Sequence, residues 1–187
     1  PLAGFGSTTP VSIAGAATLD MNGINDTFGS LSGGGTVARG ANANITLGRG
    51  SSDTQTFSGT ITGSGSLTKG RALPGGAGDN LTQIMTGNYN FSTVTVNAGA
   101  LILNGTNTTG AVTVNGGALG GSGSVSGATV VNTGGAIAPG SAGIGTFAIG
   151  GGLTLESGSI LNFELGAPTN GDLINVTGGT TTINGGT

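Results

Sequence analysis

Few side chains of this chain could carry out chemistry. It contains no His and no Cys, which excludes imidazole acid–base catalysis, Cys nucleophiles, thiolate metal sites and disulfides. The remaining charged candidates are concentrated between residues 20 and 79. They are Asp20, Asp26, Arg39, Arg49, Asp53, Lys69, Arg71 and Asp79. Clustered carboxylates with a nearby base would suit a polysaccharide-degrading enzyme; the alternative is a solvated face that supplies the little charge of this chain.

Two further motifs have a chemical and a structural interpretation. Residues 75–79 (Gly-Gly-Ala-Gly-Asp) are similar to a calcium-binding nonapeptide of β-rolls, but the motif occurs once, so a glycine-rich loop is the alternative. Gly-x-Gly runs such as residues 63–65 would suit a dinucleotide-binding loop only if a helix followed them. No helix is expected there, so we interpret them as corners between strands. Glu156 and Glu164 are predicted to be surface positions on successive strands. We therefore predict no catalytic residue, no cofactor and no metal ligand.

Charge and hydropathy exclude several classes of partner. The chain has four basic and seven acidic residues and a net charge of -3. So few basic residues cannot form the basic stripe that binds nucleic acid. No apolar run approaches the length of a membrane helix, and no basic amphipathic helix is present. We expect no nucleic-acid partner and no membrane insertion of this segment.

Short alternating segments predict strands throughout the chain. The segments 94–97, 112–115 and 129–132 each end in Asn, and each is followed by a glycine-containing turn and a small-apolar pair. Aligned on Asn97, Asn115 and Asn132, the copies are 18 and 17 residues apart, and looser relatives begin at Leu153 and Asn175. Glycine, of which there are 43, disfavours helix and marks the turns. The chain therefore contains an internal repeat.

A period near 20 residues with very short strands predicts a parallel β-solenoid. Strands this short pair best with their counterparts in the turns above and below, about 4.8 Å away, with Asn or Thr ladders between turns. We predict one right-handed β-helix over residues 1–187, with roughly nine coils of about 17–24 residues and a loop insertion at 70–80. The Thr-x-Thr pairs of ice-binding solenoids occur at 60–62 and 93–95, but they do not recur in every coil, so no ice-binding face is expected.

Three stretches, residues 65–69, 81–87 and 88–105, together resemble the passenger-associated transport repeat of bacterial autotransporter passenger domains. The segments 19–23 with 29–33, and 137–140 with 144–146, resemble the sequences that precede and follow such repeats. The insertion at 70–80 splits the repeat. The resemblance implies a secreted right-handed β-helix rod, part of a longer surface protein, and it implies no particular activity.

These observations favour a non-catalytic, extracellular structural or adhesive rod at a bacterial cell surface, associated with the outer membrane through regions outside this chain. Its expected partners are host or surface molecules, protein or glycan, or other copies of itself. An alternative is a filament subunit that stacks end to end, because residues 174–187 end without charge or a capping element. A β-helix polysaccharide-degrading enzyme is the third hypothesis, and it would use Asp20, Asp26 or Asp53.

Overall fold

The computed structural model describes residues 9–48, 53–70 and 79–185, and these form strands and turns with no helix. The strands are β1 (Pro10–Ile13), β2 (Thr18–Asp20), β3 (Asp26–Phe28), β4 (Ser30–Gly33), β5 (Thr36–Ala38), β6 (Ile45–Leu47), β7 (Thr54–Phe57), β8 (Thr60–Thr62), β9 (Leu67–Lys69), β10 (Thr82–Met85), β11 (Asn90–Phe91), β12 (Val94–Val96), β13 (Ala100–Leu103), β14 (Thr106–Thr109), β15 (Val112–Val114), β16 (Gly117–Gly121), β17 (Ser124–Val125), β18 (Thr129–Val131), β19 (Gly135–Pro139), β20 (Thr146–Ile149), β21 (Leu153–Leu155), β22 (Ile160–Leu161), β23 (Leu173–Val176) and β24 (Thr181–Ile183).

Every third strand pairs in parallel, so the chain winds as a β-solenoid with three strands in each turn. Sheet 1 has the order β1-β4-β7-β10-β13-β16-β19-β22, and sheet 2 has the order β3-β6-β9-β12-β15-β18-β21-β24. The third side of the turn is formed by the three-stranded sheet β2-β5-β8 and then by the five-stranded sheet β11-β14-β17-β20-β23. The predicted all-β parallel solenoid is confirmed.

The solenoid has about seven turns, and the prediction of roughly nine was too high. Sheets 1 and 2 each contain eight strands, which are separated by seven steps. The turns are longer than the repeat suggested: the register advances by 18 residues from Ala100 to Ala118 but by 28 from Thr54 to Thr82. Seven steps of about 4.8 Å give a stack roughly 34 Å long. Residues 71–78 of the predicted loop at 70–80 lie outside the described residues.

The repeats stack as the sequence predicted. Asn132 Nδ2 donates to Asn115 Oδ1 at 2.7 Å, and Asn115 Nδ2 donates to Asn97 Oδ1 at 2.9 Å, which forms an asparagine ladder.

The looser copy of the repeat that begins at Asn175 does not lie in the same sheet as the other copies. Asn175 lies in β23 and pairs with Ala148 of the third side, whereas the strand that continues sheet 2 is β24. The two segments have similar compositions, so the alternating pattern alone could not separate them.

Inward-facing residues of successive turns stack on one another to form the core. In sheet 2 one inner ladder joins Ile45, Leu67, Val94, Val112, Thr129 and Leu153. All of these residues are buried, because alternate side chains of a strand point to the same face. Near the middle of the stack the rings of Phe57, Tyr89 and Phe91 lie in sequence, with centroid separations of 6.2 and 6.0 Å.

Sheet 1 is joined between β4 and β7 by a side chain. These strands share only the pairing of Gly33 with Phe57. The Gln83 side chain from β10 reaches past β7, accepts from the Leu31 amide at 3.1 Å through Oε1 and donates to the Leu31 carbonyl at 2.8 Å through Nε2. Both residues are fully buried. The amide of Gln83 therefore replaces a missing step of backbone pairing.

Glycine is required at some corners. Gly63 has a φ of 84°, a left-handed conformation that costs little only for glycine. A Cβ there would also collide with the backbone of Gly40 in the preceding turn. Close stacking of one corner on the next therefore depends on the missing side chain.

Candidate functional site

The charged residues of the N-terminal half do not form an active-site cluster in the described part of the chain. Asp20 ends β2, Asp26 begins β3 and Asp53 precedes β7, so they lie at strands of three different sheets. Asp20 Oδ1 accepts from the Asn22 amide at 2.9 Å, and Asp26 Oδ1 accepts from the Thr27 amide at 2.8 Å. Arg49 and Arg71 lie outside the described residues.

Interpreting the charges as a solvated face is wrong for Arg39, which is fully buried. Its guanidinium donates to four backbone carbonyls, those of Thr62 at 3.3 Å, Gly65 at 2.9 Å, Gly63 at 2.8 Å and Asn90 at 2.6 Å. It also lies 5.1 Å from the centroid of the Phe91 ring. Burial lowers the Arg39 pKa from its ordinary value. Arg39 therefore links three successive turns. The sequence did not predict these bonds, because it does not show where one turn ends and the next begins.

Lys69 and Asp79 form a second buried group of charges. Lys69 Nζ lies 2.9 Å from Asp79 Oδ2, and the two side chains are 0% and 2% exposed. Lys69 Nζ also donates to the Ala98 carbonyl at 3.1 Å, and Asp79 Oδ1 accepts from the Leu81 amide at 3.0 Å. Burial lowers the Lys69 pKa, and the hydrogen bond and charge of Asp79 partly offset that shift. The solvated-face interpretation is wrong for this pair too.

Of the calcium-type motif at residues 75–79, only Asp79 lies within the described residues. Both carboxylate oxygens of Asp79 already accept hydrogen bonds from protein groups, while Gly75 to Gly78 lie outside the described residues. Over the described ranges, no group of three or more acidic, His or Cys side chains could hold a metal ion.

The two glutamates lie beside strands and not within them. Glu156 directly follows β21 and accepts from Asn184 Nδ2 at 3.0 Å. Glu164 is exposed in the segment after β22. The sequence placed both near the surface, but the alternating pattern did not show that each falls just beyond a strand.

The outward face of sheet 2 carries a threonine column that the sequence analysis missed. The central position of seven of its eight strands is threonine, and Val130 of β18 is the exception. The column is Thr27, Thr46, Thr68, Thr95, Thr113, Thr154 and Thr182. The Thr-x-Thr pair itself does not recur, as expected, but a single threonine does. Turns of unequal length hid this register in the sequence.

A second polar row runs beside the first four threonines. This flanking row consists of Asn25, Asn44, Ser66 and Thr93, each two residues before the column in its strand. Asn25 Oδ1 accepts from the Asn44 amide, and Asn44 Oδ1 accepts from the Ser66 amide, both at 2.8 Å. Thr93 Oγ1 donates to Ser66 Oγ at 2.8 Å. These bonds hold the row in register with the turns.

The two rows line a shallow groove on this face, with a volume of about 440 Å³. Its walls are the flanking row together with Asp26, Thr27, Thr46 and Thr68. Within the described residues, no hydrogen bond joins the hydroxyls of those three threonines to another protein group. No basic side chain of the described chain lines the groove. The site can therefore exchange hydrogen bonds with a ligand, and it carries one carboxylate, that of Asp26.

No protein-family model matches this chain, and no curated protein or solved structure is significantly similar to it. The described residues contain no helix long and apolar enough to cross a membrane.

Proposed function

We propose that this chain is a non-catalytic structural and adhesive rod of a bacterial surface protein of the autotransporter type. The observation that carries the proposal is the parallel pairing that runs through all eight strands of sheet 2 and all eight strands of sheet 1, where one backbone pair and the Gln83 side chain link β4 to β7. In such a stack every turn pairs with its neighbours, so the molecule can extend by adding turns. The resemblance to passenger-associated transport repeats supports a surface location.

The adhesive part of the proposal rests on the outward face of sheet 2. The threonine column and the asparagine ladder present hydroxyl and amide groups at a repeat of about 4.8 Å. Along most of the column the neighbouring outward residues are uncharged, and Glu156 is an exception near its C-terminal end. A repeated polar surface of this kind suits contacts distributed along the rod.

Two measurements test the proposal. Antibodies raised against the purified chain should label intact cells that produce the parent protein; labelling only after lysis would refute a surface location. Beads coated with the chain should adhere to glycan- or protein-coated surfaces more than albumin-coated beads do. Equal adhesion of both kinds of bead to every surface would refute the adhesive role.

The rod itself is tested by duplicating residues 100–117, an 18-residue turn that pairs in register on both sides. The variant should remain folded and should lengthen by about 4.8 Å in small-angle X-ray scattering, because each turn depends mainly on its neighbours. Loss of structure throughout the variant would contradict the rod.

End-to-end assembly is a second candidate function, favoured by the last described turn. There Leu173 is 52% exposed and Ile183 66%, whereas Val11 and Ile13 in the first described turn are 9% and 5% exposed. An uncovered strand edge with apolar side chains favours the addition of further strands. Sedimentation of the purified chain should show assembly that increases with concentration, and a Leu173→Lys, Ile183→Lys variant should prevent it. Monomers at every concentration would exclude this candidate.

A further inference from the structure

The groove between the threonine column and the flanking row has the features of a site for a repeating, uncharged ligand. Its polar groups recur in four consecutive strands of sheet 2, β3, β6, β9 and β12. Three steps of about 4.8 Å make it roughly 14 Å long. A ligand that uses its whole length must be a chain with regularly spaced hydrogen-bonding groups.

Electrostatics limits the chemistry of that chain. Within the described structure Asp26 is the one charged residue that lines the groove, and no basic side chain lines it. Acidic polysaccharides and nucleic acids would need basic side chains to neutralise their charge. The ligand is therefore expected to be neutral.

Hydrogen bonding favours a polyol over a peptide. Threonine hydroxyls can both donate and accept, which matches the hydroxyls of a sugar chain. A peptide that adds to a sheet needs a free strand edge. The strands β6, β9 and β12 beneath the groove are paired on both sides, so a peptide cannot add to them. In the described structure β3, at the end of the groove, pairs only with β6; a peptide added there would run parallel to β3, across the axis of the solenoid, and would not lie along the groove.

The shape of the face favours a chain over the surface of an ice crystal. A planar ligand would need two regular flat rows along the whole sheet. The flanking row continues as Ala111, Ala128, Gly152 and Thr180, so its polar character is interrupted after four strands. Within the described residues, this groove between two polar rows lies in the first half of the sheet.

We propose that this groove binds a neutral polysaccharide chain lying along the axis of the solenoid. The inference deepens the proposed adhesive function and rests on it. No aromatic residue of the described chain lines the groove, so the proposed binding does not use stacking on a sugar ring. Binding depends on hydrogen bonds repeated from turn to turn.

The test is affinity electrophoresis in native gels that contain soluble dextran, xylan, galactomannan or mixed-linkage β-glucan, with polygalacturonate as the acidic comparison. At least one neutral polymer should retard the wild-type chain. The Thr46→Val, Thr68→Val variant should lose this retardation, with an apparent Kd about tenfold higher or more, because valine keeps the shape and removes two hydroxyls. The matched control is Thr106→Val, Thr108→Val, which removes two exposed hydroxyls from β14 on the third side of the solenoid and should migrate like the wild type.

The proposal is overturned if no neutral polymer retards the wild type, if only polygalacturonate does, or if the groove and control variants behave alike. Ice shaping by the wild type that Thr46→Val, Thr68→Val abolishes would assign the threonine column to ice instead. Circular dichroism of each variant checks that the fold is retained. If antibodies label intact cells and beads adhere to protein while no polymer binds, the ligand class fails and the proposed function stands.

Discussion

Replacing Gln83 tests whether one side chain joins two strands of sheet 1. Its amide satisfies both the N–H and the C=O of Leu31, and Leu31 and Gln83 are fully buried. In Gln83→Met the new side chain has nearly the same length but offers neither strong donor nor strong acceptor. Each buried backbone group then lacks a partner at a cost of about 1–3 kcal/mol, so we expect a loss of about 2–6 kcal/mol in the free energy of unfolding.

The assay is equilibrium urea unfolding followed by tyrosine fluorescence. The chain contains one Tyr and no Trp, and Tyr89 is buried beside Phe57 in the middle of the stack, so the signal reports on these turns. Far-UV circular dichroism reports on the remaining strands in the same samples.

The matched control is Gln55→Met in β7. Gln55 pairs directly with Gln83 in the register of sheet 1, is only half-buried, and engages Gln83 through its backbone carbonyl. Its replacement should cost about 0.5 kcal/mol or less. If both variants unfold at the same urea concentration as the wild type, Gln83 does not replace backbone pairing.

Three other predictions concern buried polar groups. Lys69→Met should cost about 3–5 kcal/mol because it leaves the Asp79 carboxylate buried without its partner; adding Asp79→Asn should restore most of that loss in urea unfolding, and equal stability of the single and double variants would contradict it. Arg39→Lys should cost about 3 kcal/mol or more in the same assay, because an ammonium cannot reproduce the four charge-assisted bonds of the guanidinium; a wild-type midpoint would refute this role. Burial raises the pKa of Tyr89, so the folded state keeps its phenol proton while the unfolded state loses it, and stability should fall as pH rises above about 10. Tyr89→Phe should remove that extra loss of stability. Tyrosinate absorbance should appear at a higher pH in the folded chain than in the urea-unfolded chain; the same pH in both would contradict the reasoning.

The groove illustrates what a sequence of this kind hides. Thr46 and Thr68 are 22 residues apart, whereas Thr95 and Thr113 are 18 apart. Only the strand pairing of Ile45 with Leu67, of Leu67 with Val94 and of Val94 with Val112 shows that all four threonines occupy one column. The unequal spacing comes from corners of different length, and the alternating pattern carries no information about corner length.

The sequence by itself determined the class of fold. Short alternating segments and repeated glycine corners disfavour helix and long hairpins, and Asn97, Asn115 and Asn132 fix a register wherever the period is constant. The tertiary structure decided which charges are buried and what they contact. Arg39 bonds to carbonyls 23 to 51 residues away in the sequence, and Lys69 pairs with Asp79, ten residues later. Such contacts depend on which turn lies above which, and stacking sets that order through hydrogen bonds between distant segments.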